Sequence, residues 1–203
     1  LISKIKAAKP DMIALTGDIV DEDHDSISSV EDLLKGIKDL APIYFVTGNH
    51  ELTSLAATQY QELLALFQKY GVTDLDNDSV KLKKGGQSIT LYGRQYFSQY
   101  LTDSLPIASD KDFDILLYHG SDNFKEIAPY HYDLILSGHA HGGIVRLPIW
   151  GGIFGNDGTF FPEYAGGEYT IGDATLISSR GLGDASIPRF NNPPELVVIK
   201  LNP

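Results

Sequence analysis

The sequence predicts an α/β fold, a layered sandwich in which helices cover two strand-rich halves. Three observations lead there. The first half alternates short apolar runs with segments of helical period, the β-α-β rhythm of a parallel or mixed sheet. The second half is dominated by two-residue alternation and turn pairs. The apolar runs of both halves repeatedly stop at a glycine followed by a polar side chain. With 203 residues, a folded chain buries about 70% of its unfolded surface, so a sizeable core needs no disulfide staple. No repeat, low-complexity tract or polar linker divides the sequence, so residues 1–203 read as one domain.

Taken in order, Leu1, Ile2, Ile5 and Ala8 share one face at helical spacing, and the Lys9-Pro10 pair ends that helix. Residues 12–15 form an apolar run ending in Thr16-Gly17-Asp18, and a polar acidic loop spans 21–25. Val30, Leu33, Leu34, Ile37 and Leu40 keep a helical period. Residues 43–46 form a second buried-strand run ending in Thr47-Gly48-Asn49-His50, and Tyr60, Leu63, Leu64 and Phe67 mark another helix, closed by Gly71. Val80 and Leu82, then Ile89 and Leu91, alternate on either side of Gly85-Gly86, which predicts a hairpin. Residues 115–118 run into His119, and 134–136 run into Ser137-Gly138-His139-Ala140-His141. Glycine-rich loops are expected over 142–172, with strands at 174–178 and 196–201.

Composition narrows the function. Sixteen Lys plus Arg against 27 Asp plus Glu give a net charge of −11. The chain is therefore a poor non-specific binder of nucleic acid or anionic lipid, since both rest on Lys and Arg, and no general nucleic-acid binding is expected. A chain this acidic that handles phosphate needs bound metal to supply positive charge. The absence of cysteine removes disulfides, thiol catalysis and thiolate metal sites. No apolar run approaches the roughly 20 residues that span a bilayer.

Candidate chemistry gathers at strand ends. Asp18, Asn49 with His50, His119, and His139 with His141 each follow an apolar run directly. The ends of strands in open α/β sheets face the crevice where ligands sit, so these residues can converge despite their separation. One carboxylate, one amide oxygen and several imidazoles favour Mn, Fe or Zn over a structural thiolate site. Taken singly, each has a plainer explanation: a Gly-Asp turn, a loop asparagine, a satisfied buried histidine. Together, four of the six histidines stand where core packing does not demand them. His24, in the acidic loop, and His131, between Tyr130 and Tyr132, receive no role.

The order Gly17-Asp18, Gly48-Asn49-His50-Glu51, His119, Gly138-His139-Ala140-His141 resembles the calcineurin-like metallophosphoesterase superfamily. The stretch from His141 to Pro148, with Ser179-Arg180-Gly181-Leu182-Gly183 and Pro188-Arg189-Phe190, is similar to the bacterial branch that includes the YkuE and YaeI phosphoesterases. The resemblance implies a four-layer α/β/β/α sandwich holding two divalent metal ions. It implies hydrolysis of a phosphate ester, monoester or diester, by a bridging hydroxide. Carried over residue by residue, Asp18 bridges the metals, Asn49, His119 and His139 complete one shell, and His141 belongs to the other. His50 is then the catalytic general acid above the substrate, with Glu51 orienting it. Arg146, Arg180 and Arg189 are candidate substrate contacts, but ordinary pairing in an acid-rich chain is the preferred reading.

One departure matters. The superfamily's first motif, Asp-x-His at the end of the first strand, occurs nowhere in the sequence. The opening helix matches the one that follows this motif, so the expectation is that a native N-terminal segment carrying the first strand is missing here. The resembling branch often carries an anchor or export signal in that segment, which makes membrane association outside the cytoplasm the expectation. Two rival functions stand beside the hydrolase: a non-catalytic scaffold that has lost ligands, and a binding domain with one metal held by Asp18, Asn49, His119 and His139.

Overall fold

The structure, a computed structural model, describes residues 1–20, 26–96, 101, 105–109, 112–155, 158–183 and 188–202. The predicted acidic loop 21–25, with His24, lies outside the described residues.

Helix α1 (Ile2–Ala8) turns Ile5 inward and stops where Lys9 takes a φ of 50° ahead of Pro10, which cannot continue a helix. Helix α2 (Ser26–Ile37) buries Val30, Leu34 and Ile37, and α3 (Ala57–Tyr70) buries Leu63 and Phe67. Both follow the predicted period. They cover a parallel three-stranded sheet in the order β1 (Ile13–Leu15), β2 (Ile43–Phe45), β3 (Val72–Asp74), with Ile13 opposite Ile43 and Ile43 opposite Val72. Parallel pairing follows from helical crossovers that return the chain to the same end of the sheet.

The second sheet has six strands: β4 (Ser79–Lys84), β5 (Gln87–Arg94), β6 (Phe113–Gly120), β7 (Leu134–Gly138), β10 (Gly167–Ile171) and β11 (Ala174–Ser178). Their order is β10-β11-β7-β6-β5-β4; the central pairs are parallel, and β4 with β5 forms the predicted antiparallel hairpin. A separate two-stranded ribbon joins β8 (Val145–Leu147) to β9 (Gly151–Phe154). A short helix, α4 (Phe124–Ile127), packs outside β6.

Strand alternation sorts the side chains into three cores. Ile43 and Phe45 face α2 and α3, while Tyr44 and Val46 face the second sheet. Ile115 and Leu117 meet them across the gap, together with Leu91, Leu134 and Leu136. Leu116 and Tyr118 point the other way, against Phe124, Ile127 and Tyr132. Three cores between helices, sheet, sheet and helix are the four layers expected from the resemblance.

Two expectations need correction, and one strand is additional. Residues 196–201 alternate like a strand but form no ladder, and Val198, Ile199 and Leu201 are exposed. Alternation reports a fit to a pleated surface, and among the described residues no strand pairs with this segment, although Leu196 packs against the core under the first sheet. The region 142–172 is not all loop, because β8, β9 and β10 lie within it. Strand β3 was not foreseen, since Val72-Thr73-Asp74 is too short to show a period.

The end of β2 is clamped to the turn after β3. Asp76 accepts hydrogen bonds from the Thr47 N–H at 2.9 Å and the Thr47 hydroxyl at 2.7 Å. Burial nevertheless pushes its carboxyl up to about 6. A folded-state value above the unfolded one means that this group's stabilisation is full below pH 4 and is lost as pH rises through 6. The loss is on the order of 2 kcal/mol. In urea unfolding at pH 4 and pH 7, Asp76→Asn is expected to lessen the fall in stability between the two values by about that amount. Equal falls in variant and wild type would remove Asp76 as the source.

Candidate metal centre

The four strand ends meet. Asp18 follows β1, Asn49 and His50 follow β2, His119 lies near the end of β6, and His139 with His141 follows β7. Close approach is possible because Gly17 and Gly48 carry no side chain. A Cβ on Gly17, at φ 85°, would stand 2.5 Å from the Gly48 nitrogen, and one on Gly48 would overlap the Asp18 carboxylate.

Asp18, His119 and His139 place one ligand atom each within 4.8 Å of one another. Asp18 Oδ2 lies 2.9 Å from His119 Nε2, and His139 Nδ1 lies 3.1 Å from the same Nε2. His119 Nδ1 donates to the Thr16 carbonyl at 2.6 Å, so its proton is fixed there and Nε2 is directed into the cluster. Burial alone raises the Asp18 carboxyl, but the hydrogen bond and charge of His119 outweigh it, and the net shift is downward. For His119, burial pulls down and Asp18 pulls up more strongly. Each group thus favours the charged form of the other.

The remaining predicted residues surround this group. The Asn49 Oδ1, His50 Nδ1 and His141 Nδ1 atoms are buried without a hydrogen-bond partner. An unpartnered buried polar atom costs about 1–3 kcal/mol, and three of them around one cluster fit a site shaped for cations. His141 lies outside the convergent group of three. Burial, followed by the charge of Arg189, lowers its pKa to about 4, so its imidazole is neutral and has lone pairs to offer at physiological pH. His50 donates its backbone N–H to Asp18 Oδ1 at 2.9 Å, while its side-chain Nε2 stands 3.8 Å from Asp18 Oδ2. It opens a π-helical turn, His50–Ser54, a local irregularity common at functional sites.

Backbone strain concentrates here as well. Asp18, His139 and His141 have φ values of 50°, 66° and 49°. Such conformations cost a side-chain-bearing residue of order 1–3 kcal/mol and persist where the surroundings enforce them.

Glu51 plays a part that the sequence reading misassigned. Its carboxylate accepts three backbone N–H bonds, from Asp18 and Gly48 on Oε2 and from Ile19 on Oε1, at 2.7–2.8 Å. It thus laces the loop after β1 to the loop after β2, and both oxygens are engaged without His50. The position immediately after the histidine was the available signal; the loop-to-loop role needed the fold. Burial raises the Glu51 carboxyl, with the Asp18 charge adding to the effect.

The three arginines brace loops. Arg146 donates to the Gly142 carbonyl at 2.6 Å, Arg180 pairs with Glu195 at 2.8 Å, and Arg189 donates to the Arg180 carbonyl at 2.7 Å. His131 is exposed, at the end of a short helical turn remote from the cluster.

Comparison with known proteins follows the same lines. The family model for calcineurin-like phosphoesterases matches residues 1–143, which hold every residue of this cluster. The chain belongs to the calcineurin-like phosphoesterase family. Membership implies a hydrolase that uses divalent metal to cleave phosphate esters. Among curated relatives, the chain is 30% identical to the uncharacterized metallophosphoesterase YkuE of Bacillus subtilis, with 99% of this chain and 71% of the relative aligned. It is 27% identical to phosphodiesterase YaeI of Escherichia coli over 95% of this chain and 71% of the relative. These two support the bacterial branch of the family. The sulfate thiohydrolase SoxB of Thermus thermophilus has a similar fold, with a TM-score of 0.54 at 16% identity over 87% of this chain. This chain spans 35% of the SoxB chain. No described helix is long and apolar enough to cross a membrane.

Proposed function

We propose that this calcineurin-like phosphoesterase hydrolyses phosphodiesters or phosphomonoesters at a centre for two divalent ions, with Asp18 shared between them. The observation that carries the reading is the meeting of Asp18, His119 and His139 within 4.8 Å, with unpartnered buried atoms on Asn49, His50 and His141 of the same strand-end loops. Asn49, His119 and His139 would hold one ion with Asp18, and His141 would hold the other. When bound, Mn, Fe or Zn in such a centre lowers the pKa of water toward neutrality and offsets phosphoryl charge. The chain's own contribution is to keep these donors in place. Thr16 fixes the His119 tautomer, and Glu51 fixes the loop that presents Asp18.

His50 is the residue that moves a proton. It is partly exposed beside Asp18 and stands outside the convergent trio, which suits an acid delivering a proton to the leaving oxygen. His50→Ala is expected to lower kcat by 10²–10⁴-fold with metal content near wild type. A matching loss of metal would make His50 a ligand instead.

A second reading, a single-metal or scaffolding domain, is favoured by the position of His141 outside the trio. Elemental analysis alongside Mn-dependent hydrolysis of bis(p-nitrophenyl) phosphate separates the two. Two ions per chain with turnover supports the dinuclear hydrolase. One ion or none, without turnover, supports the alternative.

A further inference from the structure

A cleft of about 310 Å³ opens from the candidate metal centre, and the family chemistry leaves it without an assignment. Its lining includes His139, Ser121 and Asp122 together with Phe160, Phe161 and Tyr164. Phe160 and Phe161 are 72% and 56% exposed, although aromatic rings are normally placed where they are covered. The loop that carries them is preformed. The Phe161 N–H donates to the Ile153 carbonyl at 2.8 Å, Gly155 donates to the Thr159 carbonyl at 2.8 Å, and the Phe160 ring meets Phe154 at 5.4 Å. Tyr164 behind them is buried edge-on against Phe124 and Tyr169. Phe161 holds this position at a φ of 55°, an outlying conformation for a bulky residue. Exposed aromatics on a pinned, strained loop beside a catalytic histidine cluster form a preorganised apolar wall.

We propose that this cleft binds the alcohol arm of the substrate and selects a flat, apolar, uncharged alcohol such as an aryl group. This rests on the phosphoesterase reading, because His139 then marks the end at which the phosphate sits. The charges at the rim agree. Asp122 and Glu163 are exposed carboxylates, and among the described residues only Glu163 is offset, by Lys125 at 2.7 Å. An arm bearing further phosphates would meet net negative charge there, whereas an aromatic ring would cover Phe160 and Phe161 and remove their faces from water.

Calorimetric titration of the Mn-loaded protein with 1-naphthyl phosphate and with methyl phosphate tests this. The naphthyl ester is expected to bind about 10-fold more tightly, and in Phe160→Ala/Phe161→Ala the two should fall within about twofold, with methyl phosphate unchanged. Both side chains are largely solvent-facing, so the variant is expected to retain its fold, which its melting curve checks. In metal-free protein, NMR should show 1-naphthyl phosphate shifting the ring signals of Phe160 and Phe161. Equal affinities in the wild type, a naphthyl preference that survives in the double variant, or unmoved ring signals would overturn the proposal. Failure of the phosphoesterase reading shows differently, as absence of Mn-dependent turnover and of any gain in methyl phosphate binding on adding Mn. The metal-free NMR titration still decides the cleft in that case.

Discussion

Asp18→Asn lowers Mn-dependent hydrolysis of bis(p-nitrophenyl) phosphate by about 10³-fold or more, the equivalent of about 4 kcal/mol of transition-state stabilisation. The substitution isolates charge. Asparagine has the same shape and, like aspartate, tolerates the left-handed region that Asp18 occupies at φ 50°. Its amide oxygen can still accept the His50 backbone N–H, so the loop geometry survives. What disappears is the carboxylate that faces His119 Nε2 at 2.9 Å and, on the proposed assignment, both metal ions. Metal content after dialysis is expected to fall with turnover. Full metal occupancy with turnover within tenfold of wild type would remove Asp18 from the centre.

The second large effect is on stability. Glu51→Ala strips three backbone N–H groups, one buried and two partly buried, of their acceptor at once. At about 1–3 kcal/mol for each unsatisfied donor, and with some relief from entering water, the expected loss is about 4 kcal/mol. For a chain of this size that corresponds to a drop of about 10 °C in Tm. Glu51→Gln separates charge from geometry. An amide oxygen at the Oε2 position keeps the Asp18 and Gly48 bonds, while the amide nitrogen confronts the Ile19 N–H. Its expected cost is about 2 kcal/mol. Weaker metal retention should accompany both variants, since the loop carrying Asp18 is released. Stability of Glu51→Ala within about 1 kcal/mol of wild type would show that the lacing carries little.

Much of this was legible in the sequence because both the cores and the site use short-range patterns. The helical periods through Leu34 and Phe67 and the continuous apolar run at 115–118 report burial directly. The site residues were legible because each follows an apolar run with little intervening chain. What escaped was non-local. Glu51 reads as a partner for its neighbour His50 until β1 and β2 are paired and three N–H groups turn out to face it. Strand β3 depends on the edge offered by β2 rather than on its own three residues. The converse holds at residues 196–201, where a good strand pattern finds no neighbour. The aromatic wall was hidden for a related reason. Phe160 and Phe161 fall in a stretch expected to be loop, and their exposure beside the β8–β9 ribbon appears only in the fold.

Strand β6 carries a consequence for how such a protein can vary. Its side chains change faces at every residue, so Leu116 and Tyr118 belong to the outer core and Leu117 to the inner one, and His119 comes next. The ladder with β7 shifts between Leu117 and Gly120, beside that histidine. One residue inserted or deleted within the preceding segment would exchange the two faces, sending the imidazole toward the outer core and a bulky hydrocarbon or phenol toward the metal cluster. Substitutions along β6 can be absorbed one at a time, but a change in its length cannot. At the Gly85-Gly86 tip of the β4–β5 hairpin, an added residue only lengthens a turn. Divergence by length is thus open to the remote turns, while this strand is restricted to divergence by replacement.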